Sequence, residues 1–240
     1  MNVEYADASG FAAPLDVFKS TKKSSVTATN FETTVGLPVD FKTWLPFAAK
    51  KYLISPDAKN YILVPVVSIP AGLPNRNGVA FPLSSLLEWS PDDGMQAYRT
   101  FTGKPVHVEH ANSDYTTAIG VIVDVALKKL TGFGQGNLWK LVKLLAIDRD
   151  KDADIAASIL DGTQNSYSMG AFVSNYTCSL CDAEMGQCSH IDKRRMRDFY
   201  ILNGQLVFRN VHGIKGFETS VVQTPAFLSA ASDVLMTLGN

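Results

Sequence analysis

Three long apolar runs limit most strongly the folds available to this chain. They are YILVPVVSIP (61–70), AIGVIVDVAL (118–127) and LWKLVKLLAI (138–147). Continuous apolar runs of this length, rich in β-branched residues, indicate strands buried in a sheet. The glycine-rich stretch TGFGQGN separates the second run from the third and is typical of a hairpin. The sequence therefore predicts consecutive antiparallel strands.

Shorter segments extend this pattern to a mainly antiparallel α+β domain with a few flanking helices. Further strands are predicted at KPVHVEH (104–110), YSMGAFV (167–173), QLVFRNV (205–211) and FETSVVQT (217–224). Helices are predicted at 39–52, 81–89, 150–162 and 226–239. In the first helix the apolar face comprises Phe41, Trp44, Leu45, Phe47 and Ala48.

The chain divides into an arm and a domain. Residues 1–35 are rich in Ser, Thr and Ala with weak periodicity, which indicates an extended or partly ordered arm. The remainder, 36–240, has enough hydrophobic residues, at 46% of the chain, for a core of its own.

Charge and apolar content disfavour two classes of partner. Lys plus Arg total 22 against 23 Asp plus Glu, so the net charge of -1 gives no field that would attract nucleic acid or anionic lipid. No run approaches the length of a membrane span, and the N-terminus lacks the pattern of a signal peptide.

The three cysteines all lie between Cys178 and Cys188, and an odd, clustered number fits a reducing compartment. We therefore expect an intracellular, soluble protein.

Two serines lie just before a glycine in NSYSMGAF (165–172). A serine alone is weak evidence for catalysis, because its hydroxyl attacks a carbonyl only when a base, usually histidine, removes the proton. His107 and His110 lie three apart on one predicted strand, so they should point to opposite faces and only one could face a given serine.

A wider pattern adds to these residues. GKPVHVEH (103–110) precedes AIGVI (118–122), a helix precedes NSYSMGAF, and FETSVVQTPAFLSA (217–230) follows. From about 61 to 232 this order resembles the prohead (capsid maturation) proteases of tailed bacteriophages, relatives of the herpesvirus assemblins. The resemblance implies a β-barrel-like core with flanking helices.

The resemblance also implies roles for individual residues. Ser168, two before Gly170, matches the nucleophile, with Ser166 as the fallback, and His110 matches the general base. The third member orients the imidazole, and Glu218 occupies the matching position. His212 is a rival for that role, since the herpesvirus relatives use a second histidine.

The function implied by the resemblance is that of a serine endopeptidase inside the immature phage head, in the cytoplasm of the host bacterium. Its substrates would be scaffold or core proteins and the major capsid protein, and it would also cut itself. The 1–35 arm would then block the active site until it is removed. Relatives of this kind form homo-oligomers, and we expect one here.

The cysteines and a histidine form a separate motif, Cys178-x2-Cys181-x6-Cys188-x-His190. Three thiolates and one imidazole make a complete tetrahedral set for Zn2+, and four protein ligands leave no open position for a catalytic water. We therefore expect structural zinc in a knuckle insertion spanning 177–198, which would fix a polar loop between two strands.

Two readings from other classes remain open at this point. One is a non-enzymatic capsid- or scaffold-associated protein with the same β-domain and a zinc-stabilised loop, because fold does not determine function. The other is a zinc-ribbon nucleic-acid binder. The net charge, and the lack of an aromatic and basic surface around the knuckle, disfavour the second.

Overall fold

The computed structural model describes residues 2–10, 13–14, 41–129, 138–191 and 199–223. Its strands are β1 (Asn2–Gly10), β2 (Ala13–Pro14), β3 (Tyr61–Pro70), β4 (Val79–Ala80), β5 (Trp89–Ser90), β6 (Met95–Gln96), β7 (Pro105–Val108), β8 (Gly120–Lys129), β9 (Trp139–Asp148), β10 (Ser166–Val173), β11 (Asn175–Cys178), β12 (Tyr200–Leu202), β13 (Gln205–Val207), β14 (Arg209–His212) and β15 (Lys215–Val221). The helices are α1 (Phe41–Tyr52), α2 (Leu83–Leu87) and α3 (Ala153–Leu160), with short 3-10 turns at Ala58–Asn60, Ala97–Phe101, Tyr115–Thr117 and Ser189–Ile191. The molecule is thus α+β and mostly strand, as predicted.

One sheet of eight strands dominates the described part of the chain. Its order is β1-β10-β15-β7-β8-β9-β3-β2, and β1 also pairs with β3 through Ser9 and Gly10. Because β1 contacts strands from both ends of this order, the sheet curls on itself like a barrel. All pairs in it are antiparallel except β7 with β15. A second sheet, β11-β14-β4, and two small hairpins lie beside it.

The long apolar strands are buried on both faces, which explains why their sequences are continuous rather than alternating. One face of β3, with Ile62, Val64 and Val66, joins the largest cluster, which also contains Phe101 and Tyr167. The opposite face, including Leu63, joins a second cluster formed with α1. This double burial makes β3, β8 and β9 the rigid centre of the domain.

Helix α1 follows a different apolar stripe from the one predicted. Leu45, Ala48, Ala49 and Tyr52 are buried against the sheet at the spacing of one helical face, whereas Phe47 is 71% exposed. The prediction for Phe47 was therefore wrong, because Phe47 lies off the stripe that Leu45 and Ala48 define. The side chains of Phe41 and Trp44 lie outside the described residues.

Two strand predictions also need correction. The predicted strand 205–211 is two strands in different sheets, β13 and β14, separated at Phe208. The predicted strand 104–110 ends at Val108, because Glu109 and His110 both adopt positive φ.

Three further predictions lie outside the described residues: the hairpin 131–137, most of the arm and the helix at 226–239. None of the described helices is long and apolar enough to cross a membrane.

Candidate active site and metal centre

Strand β15 lies between β10 and β7, and the register of these three strands aligns a row of polar residues. Ser220 on β15 is directly opposite Ser168 on β10 and is also paired with His107 on β7. Residues opposite one another in neighbouring strands share a face of the sheet. Thr219, next to Ser220, lies on the other face, because side chains alternate along a strand.

His110 reaches this face from the turn that follows β7. Glu109 and His110 have φ of 46° and 56°, a left-handed conformation uncommon for non-glycine residues. The turn is held to β15 by two hydrogen bonds, from the Glu109 N–H to the Val221 carbonyl (2.9 Å) and from the His110 N–H to Ser220 Oγ (3.3 Å). His110 is therefore not on the same strand as His107. The alternation of side chains along a strand, from which opposite faces were predicted for the two rings, does not apply to them.

Glu218 joins His110 to β15. Its Oε1 accepts a hydrogen bond from His110 Nδ1 at 2.8 Å, and its Oε2 accepts one from the Ser220 hydroxyl at 2.5 Å. Glu218 and Ser220 are fully buried, whereas 28% of the His110 side chain is exposed. An ionised carboxylate can only accept, so Nδ1 carries the proton, and Nε2 is left unprotonated and able to act as a base.

Gly170 leaves the space that the Glu218 side chain occupies. It lies opposite Glu218 in the β10–β15 register, and a Cβ built on it would lie 3.1 Å from Glu218 Oε1 and 3.1 Å from Phe217 Cδ1. Such distances are tighter than ordinary packing allows. The glycine two residues after Ser168 therefore permits a close approach between β10 and the buried carboxylate.

Ser168 lies in the row but is only 3% exposed. Among hydrogen bonds between described residues, none joins Ser168 to His110. Ser166 lies at the start of β10, where its carbonyl accepts hydrogen bonds from the Val222 N–H and the Gln164 side chain. Its side chain shares the face of Ser168 on a regular strand, so both serines point to the side where Glu218 lies.

The other two candidate histidines occupy different surroundings. His107 is fully buried, its Nδ1 lies 3.3 Å from Thr117 Oγ1, and its Nε2 has no hydrogen-bond partner among the described residues. Burial lowers the pKa of His107, although the nearby Glu218 carboxylate acts in the opposite direction. His212 belongs to the second sheet, with Nδ1 3.1 Å from Ser85 Oγ and Nε2 2.9 Å from Thr177 Oγ1. The contacts described for the His107 and His212 rings are thus with other side chains, whereas the His110 ring contacts Glu218.

Two features of this region were missed by sequence reasoning. Ser220 was not assigned a role, although its place two residues after Glu218 on a strand puts both on one face. Lys143 on β9 is fully buried, and its amine donates to Thr219 Oγ1 at 2.9 Å and lies 4.0 Å from the centroid of the Phe101 ring. Burial lowers the pKa of Lys143 well below its ordinary value, against the opposing effect of Glu218. A lysine within an apolar strand gives no sequence signal of such a contact.

The second polar site is the loop that follows β11. Cys178, Cys181, Cys188 and His190 each offer one ligand atom, and these four atoms all lie within 4.8 Å of one another. Cys181 Sγ is 3.4 Å from Cys188 Sγ, and His190 Nδ1 is 3.3 Å from Cys188 Sγ and 3.8 Å from Cys178 Sγ. Tetrahedral zinc needs ligand atoms about 3.5–3.8 Å apart. The structure therefore brings together the four residues that the sequence predicts, close to this spacing, and they could hold a metal ion such as zinc.

The surroundings of these ligands also fit a metal. The backbone N–H groups of Leu180 and His190 donate to Cys178 Sγ and Cys188 Sγ at 3.4 and 3.3 Å, contacts that stabilise thiolates. Burial raises the pKa of Cys188, but hydrogen bonds, chiefly from Cys181 and the backbone, outweigh it and lower that pKa to about 7. Deprotonation at Cys188 is what metal binding requires.

The Cys/His loop, residues 178–191, has little apolar support. A small cluster of Cys178, Ile191 and Val207, separate from the main core, lies beneath it, with Tyr200 and Leu202 packed against it. The Tyr200 hydroxyl donates to the His190 carbonyl at 2.9 Å. The β12–β13 hairpin thus covers one side of the loop, and the apolar cluster beneath the loop is small.

No family model and no curated protein sequence matches this chain. A solved structure titled as that of the bacteriophage T4 capsid assembly protease, gp21, superposes with a TM-score of 0.39 at 17% sequence identity, covering 68% of this chain and 82% of that chain. A superposition this loose assigns neither activity nor residues.

Proposed function

We propose that this protein is a serine endopeptidase in which Ser168 is the nucleophile, His110 the general base and Glu218 the residue that orients His110. The observation that carries the proposal is the 2.8 Å contact between His110 Nδ1 and a fully buried Glu218 carboxylate on the strand next to Ser168. Buried carboxylate, imidazole and a serine on the adjoining strand are the three parts that acyl transfer requires. The order of motifs along the sequence supports the same assignment.

The reaction would follow from the roles of these groups. His110 Nε2 removes the proton of the Ser168 hydroxyl as its oxygen attacks the peptide carbonyl carbon, and Glu218 stabilises the imidazolium that forms. The imidazolium then protonates the leaving amine, and the C–N bond breaks to give an acyl-enzyme. Water, deprotonated by His110, then attacks the ester carbonyl carbon, and the imidazolium returns the proton to Ser168 Oγ as the C–O bond breaks and the carboxylic acid is released. General-base catalysis of this kind contributes about 10²- to 10⁴-fold to the rate.

The substrates we propose are the scaffold or core proteins and the major capsid protein of a phage prohead. The enzyme would work inside the immature head, in the host bacterium, as a homo-oligomer. This part of the proposal is supported by the resemblance of residues 61–232 to prohead proteases. The charge balance of the chain agrees with protein substrates, since it offers no overall attraction to nucleic acid.

The N-terminal arm, residues 1–35, is proposed to block this site and to be removed by self-cleavage. Its first strand, β1, pairs with β10 over the eight residues Asn2 to Ser9, and the backbone of Asp7 lies opposite Ser168. An extended substrate peptide could add to β10 in the same way, because strand addition is a common mode of peptide recognition. While β1 occupies this edge of β10, a substrate strand cannot.

Intact-mass measurement of freshly purified and of incubated protein tests the role of the arm. We expect the wild type to lose an N-terminal segment with time and the Ser168→Ala variant to keep it. Identical N-termini in both proteins after long incubation would contradict self-processing.

A structural zinc ion in the Cys/His loop is also proposed. Cys178, Cys181, Cys188 and His190 would hold it, and when bound it would cross-link a loop whose own apolar cluster is small. Four protein ligands leave no position for substrate, so hydrolysis stays with the serine. Metal analysis of the purified protein should find one zinc per chain, and its absence after purification with added zinc would contradict this assignment.

A second candidate function is a non-enzymatic capsid- or scaffold-associated protein with the same domain. The observation that favours it is the state of Ser168, which is 3% exposed and not bonded to His110 in the described contacts. In this case the polar residues of β15 would serve stability alone, and the Cys/His loop would be the functional feature.

A fluorophosphonate probe separates the two functions, because it labels only an activated serine. We expect the probe to label wild-type protein and the Ser166→Ala control, which removes the neighbouring hydroxyl on the same face. Labelling should be lost in Ser168→Ala and in His110→Ala. Wild-type protein that stays unlabelled both when fresh and after long incubation would support the non-enzymatic function.

A further inference from the structure

We infer that Ser220 is a positioning residue that fixes His110 for catalysis by holding both its backbone and its carboxylate partner. The inference rests on the proposed serine chemistry. Ser220 is fully buried in the middle of β15, between Ser168 and His107 in the lateral register. Its hydroxyl bonds to Glu218 and to the His110 backbone, so we assign it a role that acts through these two residues.

The hydroxyl of Ser220 makes two contacts with defined directions. Its one proton is donated to Glu218 Oε2 at 2.5 Å, since an ionised carboxylate cannot donate in return. A lone pair of the same oxygen accepts the backbone N–H of His110 at 3.3 Å. One atom therefore joins the side chain of Glu218 to the main chain of His110.

The first contact restricts the carboxylate. The terminal torsion of a glutamate is broad, so a carboxylate held at one oxygen can rotate about its last bond. Glu218 is held at both oxygens, by His110 Nδ1 and by Ser220. With both oxygens held, the plane of the carboxylate is fixed, and with it the orientation of the imidazole that it pairs with.

The second contact restricts the turn. Glu109 and His110 both have positive φ, a conformation that costs free energy for non-glycine residues and persists only when neighbouring contacts determine it. The His110 N–H bond to Ser220, together with the Glu109 N–H bond to the Val221 carbonyl, attaches this turn to β15. Losing the Ser220 hydroxyl would remove the bond to the His110 backbone and leave Glu109 held by the Val221 carbonyl and the Gln223 N–H.

The Ser220→Ala variant tests the inference by three measurements. The rate constant of fluorophosphonate labelling should fall about 10- to 100-fold, since misplacing a catalytic group by about 1 Å costs a factor of this size. The downfield proton resonance of the His110 Nδ1–H, bonded to Glu218, should broaden or disappear. Ser220→Thr, which keeps the hydroxyl, should restore both signals at least in part.

Thr219→Val is the matched control. Thr219 is the next residue on β15 and equally buried, but its hydroxyl contacts Lys143 on the opposite face. Its removal deletes one buried hydrogen bond of the same strand, so it should lower thermal stability while leaving labelling and the His110 resonance unchanged.

The outcomes distinguish this inference from the proposed function. If wild-type protein is not labelled, the serine chemistry itself fails. If wild-type protein is labelled and Ser220→Ala is labelled at the same rate with an intact His110 resonance, Ser220 has no positioning role. If Thr219→Val slows labelling as much as Ser220→Ala does, the loss reflects general stability, and the inference is overturned.

Discussion

Two sites of this molecule hold polar side chains together in opposite ways. One is the polar cluster of Ser168, His110, Glu218 and Ser220, and the other is the Cys/His loop. In the first, buried strands bring the residues together, and Glu218 is bonded by Ser220 of its own strand and by His110 of the turn that follows β7. In the second, turns bring three thiols and an imidazole together above a small cluster. The first needs no metal to keep its geometry, whereas the second, by our proposal, is stabilised by zinc. A change in either site should therefore leave the other largely unaffected.

The largest effect is expected from Glu218→Gln. The amide keeps the size of the side chain, but its NH2 group is a donor. It can bond to His110 Nδ1 only when Nδ1 carries no proton, and the imidazole is then protonated at Nε2 and cannot act as the base. Replacing the orienting carboxylate of a serine protease triad in this way costs about 10⁴-fold in turnover, and we expect fluorophosphonate labelling to slow about 10³- to 10⁴-fold. Zinc content and the hydrogen exchange of residues 178–191 should not change.

Glu184→Gln is the control for this variant. Glu184 lies in the Cys/His loop, where its Oε1 accepts from Asn175 Nδ2 at 2.8 Å, and an amide oxygen can accept the same bond. Labelling of Glu184→Gln should equal that of wild type. Labelling of Glu218→Gln within about twofold of wild type would mean that Glu218 does not orient the base, against the roughly thousandfold loss expected from the triad mechanism.

The reverse experiment is Cys181→Ser, which removes one thiolate from the loop. Loss of contacts around the ligands alone lowers metal affinity about 10- to 100-fold, so loss of a ligand should lower zinc affinity more than about 100-fold. Hydrogen exchange should speed up in residues 178–191 and not in β10 or β15. Ser189→Ala, a change within the loop that removes no ligand, serves as the control. Equal zinc binding by Cys181→Ser and wild type would exclude Cys181 as a ligand.

The sequence predicted the parts of each site better than their arrangement. The Cys/His ligands lie within thirteen residues, so local spacing was enough to identify all four. Ser168 and Glu218 are brought together only by the pairing of β10 with β15, which one sequence does not specify. The resemblance to a family implied roles for the two residues but not that pairing. The contact of His110 with Glu218 depends on a left-handed turn at Glu109 and His110 that no residue type there signals.

The fold shows the same division. Buried strands were recognised from continuous apolar runs because their burial on both faces leaves no alternation. The parallel pairing of β7 with β15, and the pairing of β1 with both β10 and β3, join segments distant in sequence. Such contacts depend on tertiary packing and carry no local signal.

A smaller effect is expected from Gly170→Ala, which adds one methyl group and removes no polar contact. Its Cβ would lie 3.1 Å from Glu218 Oε1, so the carboxylate must move by a few tenths of an ångström and pull His110 with it. We expect labelling to slow about tenfold, since catalysis is sensitive to shifts below 1 Å. Met169→Leu, a core-facing change on the same strand, should leave labelling unchanged. Unchanged labelling of Gly170→Ala would show that the carboxylate tolerates displacement.

The smallest effect concerns the opposite face of β15, where Lys143 contacts Thr219. Burial lowers the pKa of Lys143 well below its ordinary value of about 10.4. Between the folded and the ordinary pKa the unfolded chain binds more protons than the folded one, so the stability of the wild type rises with pH in this window and falls as pH decreases. Above the ordinary value the cost of burying Lys143 disappears.

Lys143→Met should remove this dependence on pH. Replacing a buried charge by an apolar side chain of similar size is often stabilising, partly offset here by the loss of the bond to Thr219. We expect the free energy of unfolding in urea to rise by about 1 kcal/mol at pH 6 and the gain to shrink towards pH 10. Lys140→Met, at a half-buried lysine of the same strand, should show a weaker trend. A gain that grows with pH would mean instead that the Glu218 carboxylate holds Lys143 in its charged form.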